Sequence, residues 1–371
     1  MATLRKVEIK GFRSIKQTTL ELGSLNVLIG ANGAGKSNFV AFFKMLNELM
    51  AGRLQEYVGR MGRAQSVLHF GPKVTPQLEG LLEFEAGDSV DTYHLRLFHA
   101  ANDTLIFAEE TLDYKKEGWQ GPPRLPMSLG GGHFETKIGD LAAQGNSTAK
   151  VFRHILNKCR VYHFHDTSAT SQIRQTNYIN DNRGLMADGG NLAAMLYAYR
   201  LKNEVVYKRI VSTIQKVMLD FEDFDLEPSR LNANDISLNW RRRGREYLFG
   251  PHQISDGTLR AMAIVTLLLQ PEEDLPGVII LDEPELGLHP HAIEIVAGLM
   301  RAVSIKTQAI VATQSQTFLN FFEPGEVITV DTTQCESVFR RLNPDEYKEW
   351  LEDYTIGELW QRNVLGGGPL P

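Results

Sequence analysis

Cysteine is scarce: the chain of 371 residues has two, Cys159 and Cys335. Two are too few for a disulfide scaffold or a four-cysteine zinc site, and a reducing cytoplasm is the expected setting. Long apolar runs are missing as well. Ala261–Leu269 is the longest near-apolar stretch, far below the ~20 residues that cross a bilayer, so no membrane partner is expected. Met1–Phe12 is charged and lacks the continuous apolar segment of a signal peptide. There is no internal repeat, low-complexity tract or sustained heptad pattern, which excludes a long coiled-coil arm. An excess of positive charge is absent too. With 39 Lys+Arg against 45 Asp+Glu the net charge is −6, which rules out coating nucleic acid by bulk charge. What is present is ordinary globular composition, 43% hydrophobic and 23% charged, and the length suggests about two domains at roughly 150 residues each.

Periodicity supplies the elements. Leu4–Ile9, Gln17–Leu22 and Leu25–Ile29 read as strands. A Gly-rich loop follows, then a helix with Phe39, Phe42, Phe43, Leu46 and Leu49 on one stripe. Leu81–Phe84, Thr92–Phe98 and Leu105–Asp113 alternate and predict an antiparallel meander. Gly118–Gly132 reads as a loop, and Asn191–Met218 as a helix with Val206, Ile210, Ile214, Val217 and Met218 on one face. Ile236–Trp240 and Glu246–Phe249 predict a hairpin. In the last third, strand Gly277–Leu281, helix Ala292–Val303 and strand Gln308–Ala312 alternate, which predicts a parallel sheet. Asn343 and Pro344 open a final helix, and the Gly-Gly-Gly-Pro-Leu-Pro end reads as a loose tail.

Gly30-Ala31-Asn32-Gly33-Ala34-Gly35-Lys36-Ser37 matches G-x-x-x-x-G-K-[ST] in full, with a chance probability of roughly 0.02 in a chain of this glycine content. A buried-type strand before it and an amphipathic helix after it supply the context a nucleotide site requires. Glycines let successive backbone N–H groups turn inward around phosphates, and the helix N-terminus adds partial positive charge. Lys36 is assigned to β/γ-phosphate oxygens of ATP and Ser37 to Mg²⁺. The bland alternative is a Gly-rich turn with an exposed lysine. Val278-Ile279-Ile280-Leu281-Asp282-Glu283 is the complement, a central apolar strand ending in two carboxylates where α/β ligands bind. Asp282 suits Mg²⁺ and Glu283 suits polarising the attacking water; alone, such a pair can also be a helix-entry feature.

Ile254-Ser255-Asp256-Gly257-Thr258-Leu259-Arg260 lies just upstream of the acidic strand and opens an apolar helix. It resembles the L-S-G-G-Q signature of the ABC-type ATPase superfamily. The opening Ile9-Lys10-Gly11-Phe12-Arg13-Ser14 resembles the RecF, SMC and OLD branch. Asp282-Glu283-Pro284-Glu285-Leu286-Gly287-Leu288-His289-Pro290 resembles its stand-alone AAA-type ATPases associated with phage defence. The resemblance covers nearly the whole chain, including Tyr162–Asp166 and Gly357–Trp360. It implies one α/β, ABC-type ATPase head over 1–371 with a mixed or parallel central sheet, an antiparallel β subdomain and a helical lobe. The divisions are 1–165 (phosphate loop and meander), 166–260 (helical lobe, hairpin and signature) and 261–371 (remainder of the core). It further implies an ATP-dependent homodimer in which Ser255 and Gly257 touch the γ-phosphate held by the other copy. Arg13 and Asn38 join Gly30–Ser37 as nucleotide contacts. Two departures stand out: Gln314 replaces the usual histidine after the next strand, and Leu288-His289-Pro290 replaces the usual Leu-Asp of the dimer-contacting loop.

His163, His165 and Asp166 leave three alternatives open: an ATP-sensing group beside metal and water, a transition-metal site, or hydrogen-bonded structure. Arg241, Arg242, Arg243 and Arg245 place four guanidinium groups on one hairpin, and four phosphate contacts would weaken DNA binding about a hundredfold between 50 and 200 mM salt. Lys6, Lys10, Arg13 and Lys16 are candidates to extend that patch, and a solvated turn is its bland alternative. About forty residues follow Val327–Val330, too few for a fused nuclease domain, so DNA cutting or a toxic output would need a separate nuclease or effector protein. A non-hydrolysing, nucleotide-gated scaffold is the main competing function. A transport motor is disfavoured by the more than two hundred residues between phosphate loop and signature, and a GTPase by the lack of an Asn-Lys-x-Asp motif.

Overall fold

Alternation of apolar and polar residues continues well past the predicted strand ends. Leu4, Val7, Ile9 and Phe12 are buried along Thr3–Phe12, which pairs antiparallel with Ile15–Glu21 on one side and Gln77–Ala86 on the other. The predicted meander therefore extends to six antiparallel strands, in the order Ile15–Glu21, Thr3–Phe12, Gln77–Ala86, Ser89–Ala100, Thr104–Lys116 and Met127–Gly130. The last lies inside the segment read as a loop, where Leu129 supplies a buried side chain. The computed structural model describes residues 2–116, 118 and 125–368.

The chain forms two units, each interrupted in sequence: Met1–Val161 with Pro276–Ile280 and Thr307–Pro371, and Tyr162–Leu275 with Leu281–Lys306. The sequence reading divides the chain at 165 and 260. The strand Val278–Asp282 instead runs from one unit into the other.

In the first unit the helix Lys36–Met50 buries its five predicted residues, Phe39, Phe42, Phe43, Leu46 and Leu49. Its aromatic face reaches the antiparallel sheet at Gly80, where a Cβ would stand 2.7 Å from the Phe42 ring. The second sheet has the order Glu336–Arg341, Val327–Thr333, Leu25–Ile29, Gln308–Thr313, Val278–Asp282, Cys159–Tyr162. Leu25–Ile29, buried at every residue, pairs parallel with both Gln308–Thr313 and Val327–Thr333, and Glu336–Arg341 closes one edge antiparallel. One continuous core joins both sheets to the helix.

Two expectations at the C-terminal end need correction. Asn343 caps a single 3-10 turn, Pro344–Glu346, while the last helix, Ile356–Gln361, starts from a Thr355–Glu358 capping box. The glycine stretch is not loose over its described part. Gly367 and Gly368 are buried, and the Trp360 indole N–H donates to the Gly367 carbonyl at 2.8 Å. Pro369, Leu370 and Pro371 lie outside the described residues.

The second unit is mainly helical: Leu192–Lys202, Glu204–Val217, Asp256–Leu268 and Pro290–Ser304. The single helix expected over 191–218 breaks at Asn203 (φ −146°), whose side chain accepts from the Val206 amide. Tyr207, Ile210, Val211 and Ile214 form the buried face beyond it. The predicted hairpin forms between Asn239–Arg242 and Leu248–Phe249, with Trp240 stacked on Phe249, whereas Ile236 pairs with Asn177. Among the described residues no helix is long and apolar enough to cross a membrane.

Candidate nucleotide site

The phosphate loop leaves the C-terminal end of the buried strand Leu25–Ile29. Its glycines meet different constraints. A Cβ on Gly30 would stand 2.3 Å from the Val330 carbonyl oxygen, and one on Gly35 (φ +114°) 1.9 Å from Ser337 Oγ. Gly33 (φ +82°) has nothing within 4 Å of its Cβ position, so its left-handed backbone, not crowding, calls for glycine. Lys36 is 4% exposed and its Nζ donates to the carbonyls of Gly30 (2.7 Å) and Ala31 (3.0 Å). Its cation is thereby held inside the turn. Ala34 is buried, and Asn32, Gly33 and Ser37 are exposed. The Asn38 and Phe39 amides both donate to the Gly35 carbonyl at 3.0 Å; the Ser37 amide lies ahead of the first intrahelical acceptor and is a donor placed for an anion.

Around the loop the fold assembles residues from distant segments. Arg13 adopts φ +50° and its Nη1 reaches Asn38 Oδ1 at 3.4 Å. Asn38 Nδ2 donates to Ser14 Oγ at 2.6 Å, and Ser14 Oγ bonds Ser337 Oγ at 2.6 Å. Gln314 follows Thr313, which is in register with Ile29, so Gln314 stands beside the start of the phosphate loop.

In the second unit, Asp282 ends its strand with Oδ1 buried and without a hydrogen-bond partner. A carboxylate oxygen in that condition fits a cation, since an unpaired buried polar atom is costly. His165 Nε2 lies 2.9 Å from the Asp282 carbonyl oxygen, so the Nε2–H tautomer donates there. Glu283 has φ +44°, a strained conformation for a non-glycine residue of the kind that collects at functional sites. The Leu286 amide closes the turn back onto the Glu283 carbonyl at 3.1 Å. Asp166 accepts from its own neighbour Ser168, and the His163 amide donates to the Ala187 carbonyl. Among the described residues no group of three or more His, Cys, Asp or Glu could hold a metal ion, so the transition-metal alternative has no ligand set.

Ser255 is the N-cap of Asp256–Leu268, its Oγ accepting from the Thr258 amide at 3.2 Å, and it is exposed. A Cβ on Gly257 would stand 2.0 Å from the Gly287 carbonyl oxygen, so glycine there lets the signature helix approach the loop after Glu283. Two arginines given no role by the sequence reading organise this unit. Arg260 donates to the carbonyls of Phe164 (3.1 Å), His165 (2.8 Å) and Leu286 (3.0 Å). Arg174, 6% exposed, donates to Thr167, Pro251, Ile254 and Asp256. Arg260 stands within the quoted signature segment, but Arg174 carries no local signal.

The arginine hairpin is partly neutralised by its own unit. Arg241 binds Asp225 through Nε and Nη2, and Arg242 pairs with Asp220 at 2.5 Å. Arg243 and Arg245 are exposed.

Comparison with known proteins bears on the fold. A family model described as "AAA domain, putative AbiEii toxin, Type IV TA system" matches residues 166–320, and an "AAA ATPase domain" model matches residues 3–86. No curated protein matches. Among solved structures, the SmcHead bound to the C-winged helix domain of ScpA is similar with a TM-score of 0.63 at 15% identity, covering 94% of this chain and 99% of that one. An Smc head with an extended coiled coil, bound to the C-terminal domain of ScpA from Pyrococcus furiosus, is similar with a TM-score of 0.63 at 14% identity, covering 95% and 99%. The fold is that of an SMC head, and together with the two AAA models, which match separate stretches of the chain, it supports an ABC/SMC-like ATPase.

Proposed function

We propose that this ABC/SMC-like chain binds ATP with Mg²⁺ at the 30–38 loop, dimerises head to tail around two ATP molecules, and hydrolyses them. The observation that carries this reading is the loop itself, closed by Gly30 and Gly35 around a buried Lys36 cation. Lys36 neutralises β/γ-phosphate oxygens, Arg13 and Asn38 border the nucleotide, and the loop amides take the remaining phosphate charge. Ser37 and Asp282 would hold Mg²⁺, which supplies charge neutralisation on the phosphates when bound. Glu283 takes a proton from the attacking water as its oxygen bonds the γ-phosphorus and the bond to ADP breaks. Gln314 donates a hydrogen bond to a γ-phosphate oxygen. An amide has no cationic form, so this contact does not titrate. Ser255 and the helix amides near Gly257, from a second copy, would face the same phosphate. Catalysis here is positioning and charge stabilisation.

Glu283→Gln tests the reading. The variant is expected to bind ATP, hydrolyse it poorly and accumulate as an ATP-dependent dimer. A variant that stays monomeric with ATP and Mg²⁺, or that turns over normally, overturns it.

The competing reading, a nucleotide-gated scaffold without hydrolysis, draws on Leu288-His289-Pro290 in the loop expected to contact the second copy. Single-turnover hydrolysis separates the two. Either way the output is proposed to pass through a partner in the cytoplasm. The AbiEii description and the ScpA domain on a similar head favour a protein effector. Duplex DNA is the second candidate, with Arg243 and Arg245 as its contacts.

A further inference from the structure

The signature of this chain has an acidic residue, Asp256, between Ser255 and Gly257, at a helix start where the proposed function needs to attract an anion. A free carboxylate there would oppose phosphate by like charge. Asp256 is not free. Its Oδ1 accepts from Arg174 Nη2 at 2.7 Å. The Arg174 bond, followed by one from Thr167, holds the Asp256 carboxyl below its usual range. The same guanidinium donates Nε to the Thr167 carbonyl (2.7 Å), Nη1 to the Pro251 carbonyl and Nη2 to the Ile254 carbonyl (3.1 Å). One arginine therefore grips the residue before Ser255, the residue after it, and the start of the preceding turn. Arg174 is 6% exposed while the Asp256 side chain is 64% exposed, so the pair runs from the interior of this unit to the surface that carries Ser255.

We propose that Arg174 and Asp256 are positioning residues for the signature. Arg174 cancels the charge of Asp256 and fixes the Ile254–Asp256 backbone, so that Ser255, held as the N-cap of the Thr258 amide, and the first-turn amides ahead of Thr258 form a preformed anion site. This deepens the proposed function and rests on its head-to-tail dimer. The planar five-donor fork of arginine explains the residue type, because lysine cannot address four oxygens in these directions at once.

The test uses the full chain carrying Glu283→Gln, with Asp256→Ala and Asp256→Asn added separately. Asparagine keeps an oxygen that accepts from Arg174, whereas alanine keeps none. The nucleotide affinity of the single copy, read by ATP titration at protein concentrations below dimerisation, is expected to stay within twofold in both. ATP-dependent dimerisation, read by analytical ultracentrifugation, is expected to weaken at least tenfold for Asp256→Ala and less than threefold for Asp256→Asn. In the Glu283 background the same order is expected in kcat. A merely structural role would instead lower ATP affinity and dimerisation together. If the Glu283→Gln parent does not dimerise, the head-to-tail reading fails and this inference with it. If the parent dimerises and Asp256→Ala matches it, only this inference is overturned.

Discussion

Ser337 Oγ occupies the space that a Cβ on Gly35 would need, 1.9 Å away, and is held there by Ser14 Oγ at 2.6 Å. An edge strand more than three hundred residues downstream thus braces the phosphate loop from behind. Gly35→Ala introduces that clash at φ +114°, where a Cβ is strained in any surroundings. Loss of measurable ATP binding by calorimetry is the expected result. Ser337→Ala removes only the hydroxyl and should bind within a few-fold of wild type. It should not rescue Gly35→Ala, because the Ser337 Cβ itself lies 2.7 Å from the new methyl. Wild-type affinity in Gly35→Ala would refute the bracing.

Asp282 carries a different liability, a buried oxygen without a partner. An unsatisfied buried polar atom costs about 1–3 kcal/mol. Asp282→Asn removes the charge while keeping the shape. The expected outcome is a nucleotide-free melting temperature no lower than wild type, together with a fall in Mg²⁺-dependent kcat of about a hundredfold or more. A clear drop in nucleotide-free stability would show that the carboxylate is structural.

The two contiguous motifs were legible because each is one strand and the loop that leaves it. Leu25–Ser37 and Val278–Glu283 each carry their own chemical groups within one short segment. Ser337 and Arg174 were not legible: each acts on a motif 70 or more residues away, through a hydroxyl or guanidinium with no local pattern. The break at Asn203 was hidden because the apolar spacing runs on through it. The glycine end was misread because composition suggests freedom, while the Trp360 bond and the fit of Gly367 against two strands need tertiary structure to appear. The division into units was equally obscure, since the strand Val278–Asp282 passes between them with no change in composition.

Gly367 tests that last packing. It has φ +67°, and its Cβ would stand 3.2 Å from the carbonyl oxygens of Ile29 and Val330. Gly367→Ala is expected to cost about 1–2 kcal/mol in urea unfolding from the left-handed backbone alone. ATP affinity should fall with it, because Ile29 leads directly into the phosphate loop. Unchanged stability would mean that the segment does not pack in solution as described.

For DNA, the ion pairs of Arg241 and Arg242 change the expected footprint. Two remaining guanidinium groups give a log–log salt slope of about −1.8, or roughly tenfold weaker binding between 50 and 200 mM salt, instead of the hundredfold for four. Arg243→Ala with Arg245→Ala should flatten the slope, whereas Arg241→Ala should hardly change it. Fluorescence anisotropy with duplex, nicked and single-stranded DNA measures both. No salt-dependent binding to any form would leave a protein effector as the partner.

Glu110 gives the sharpest pH prediction. Its carboxylate is fully buried and accepts from Tyr93 Oη (2.9 Å) and Thr136 Oγ1 (2.5 Å), with His133 Nε2 at 2.9 Å. Burial pushes its pKa up, opposed by the Thr136 and Tyr93 hydroxyls and the Lys137 amide. The folded chain therefore holds this proton more tightly than the unfolded one. The stability linked to that proton is fully present below the unfolded carboxyl value near ~4.3 and is lost as pH rises through the raised folded value. His133 is pushed down, by burial first and Lys137 second, and acts in the opposite sense: its contribution is lost as pH falls below its unfolded value. Comparing wild type with Glu110→Gln reads Glu110 together with His133, because the imidazole Nε2 lies 2.9 Å from the substituted carboxyl. The amide keeps an acceptor for the two hydroxyls and cannot ionise. Urea unfolding of both from pH 4.5 to 8 should therefore show Glu110→Gln gaining stability over wild type as pH rises. A flat difference would mean that burial does not shift the Glu110 carboxyl, and one of opposite slope that the buried carboxylate is stabilised as an anion.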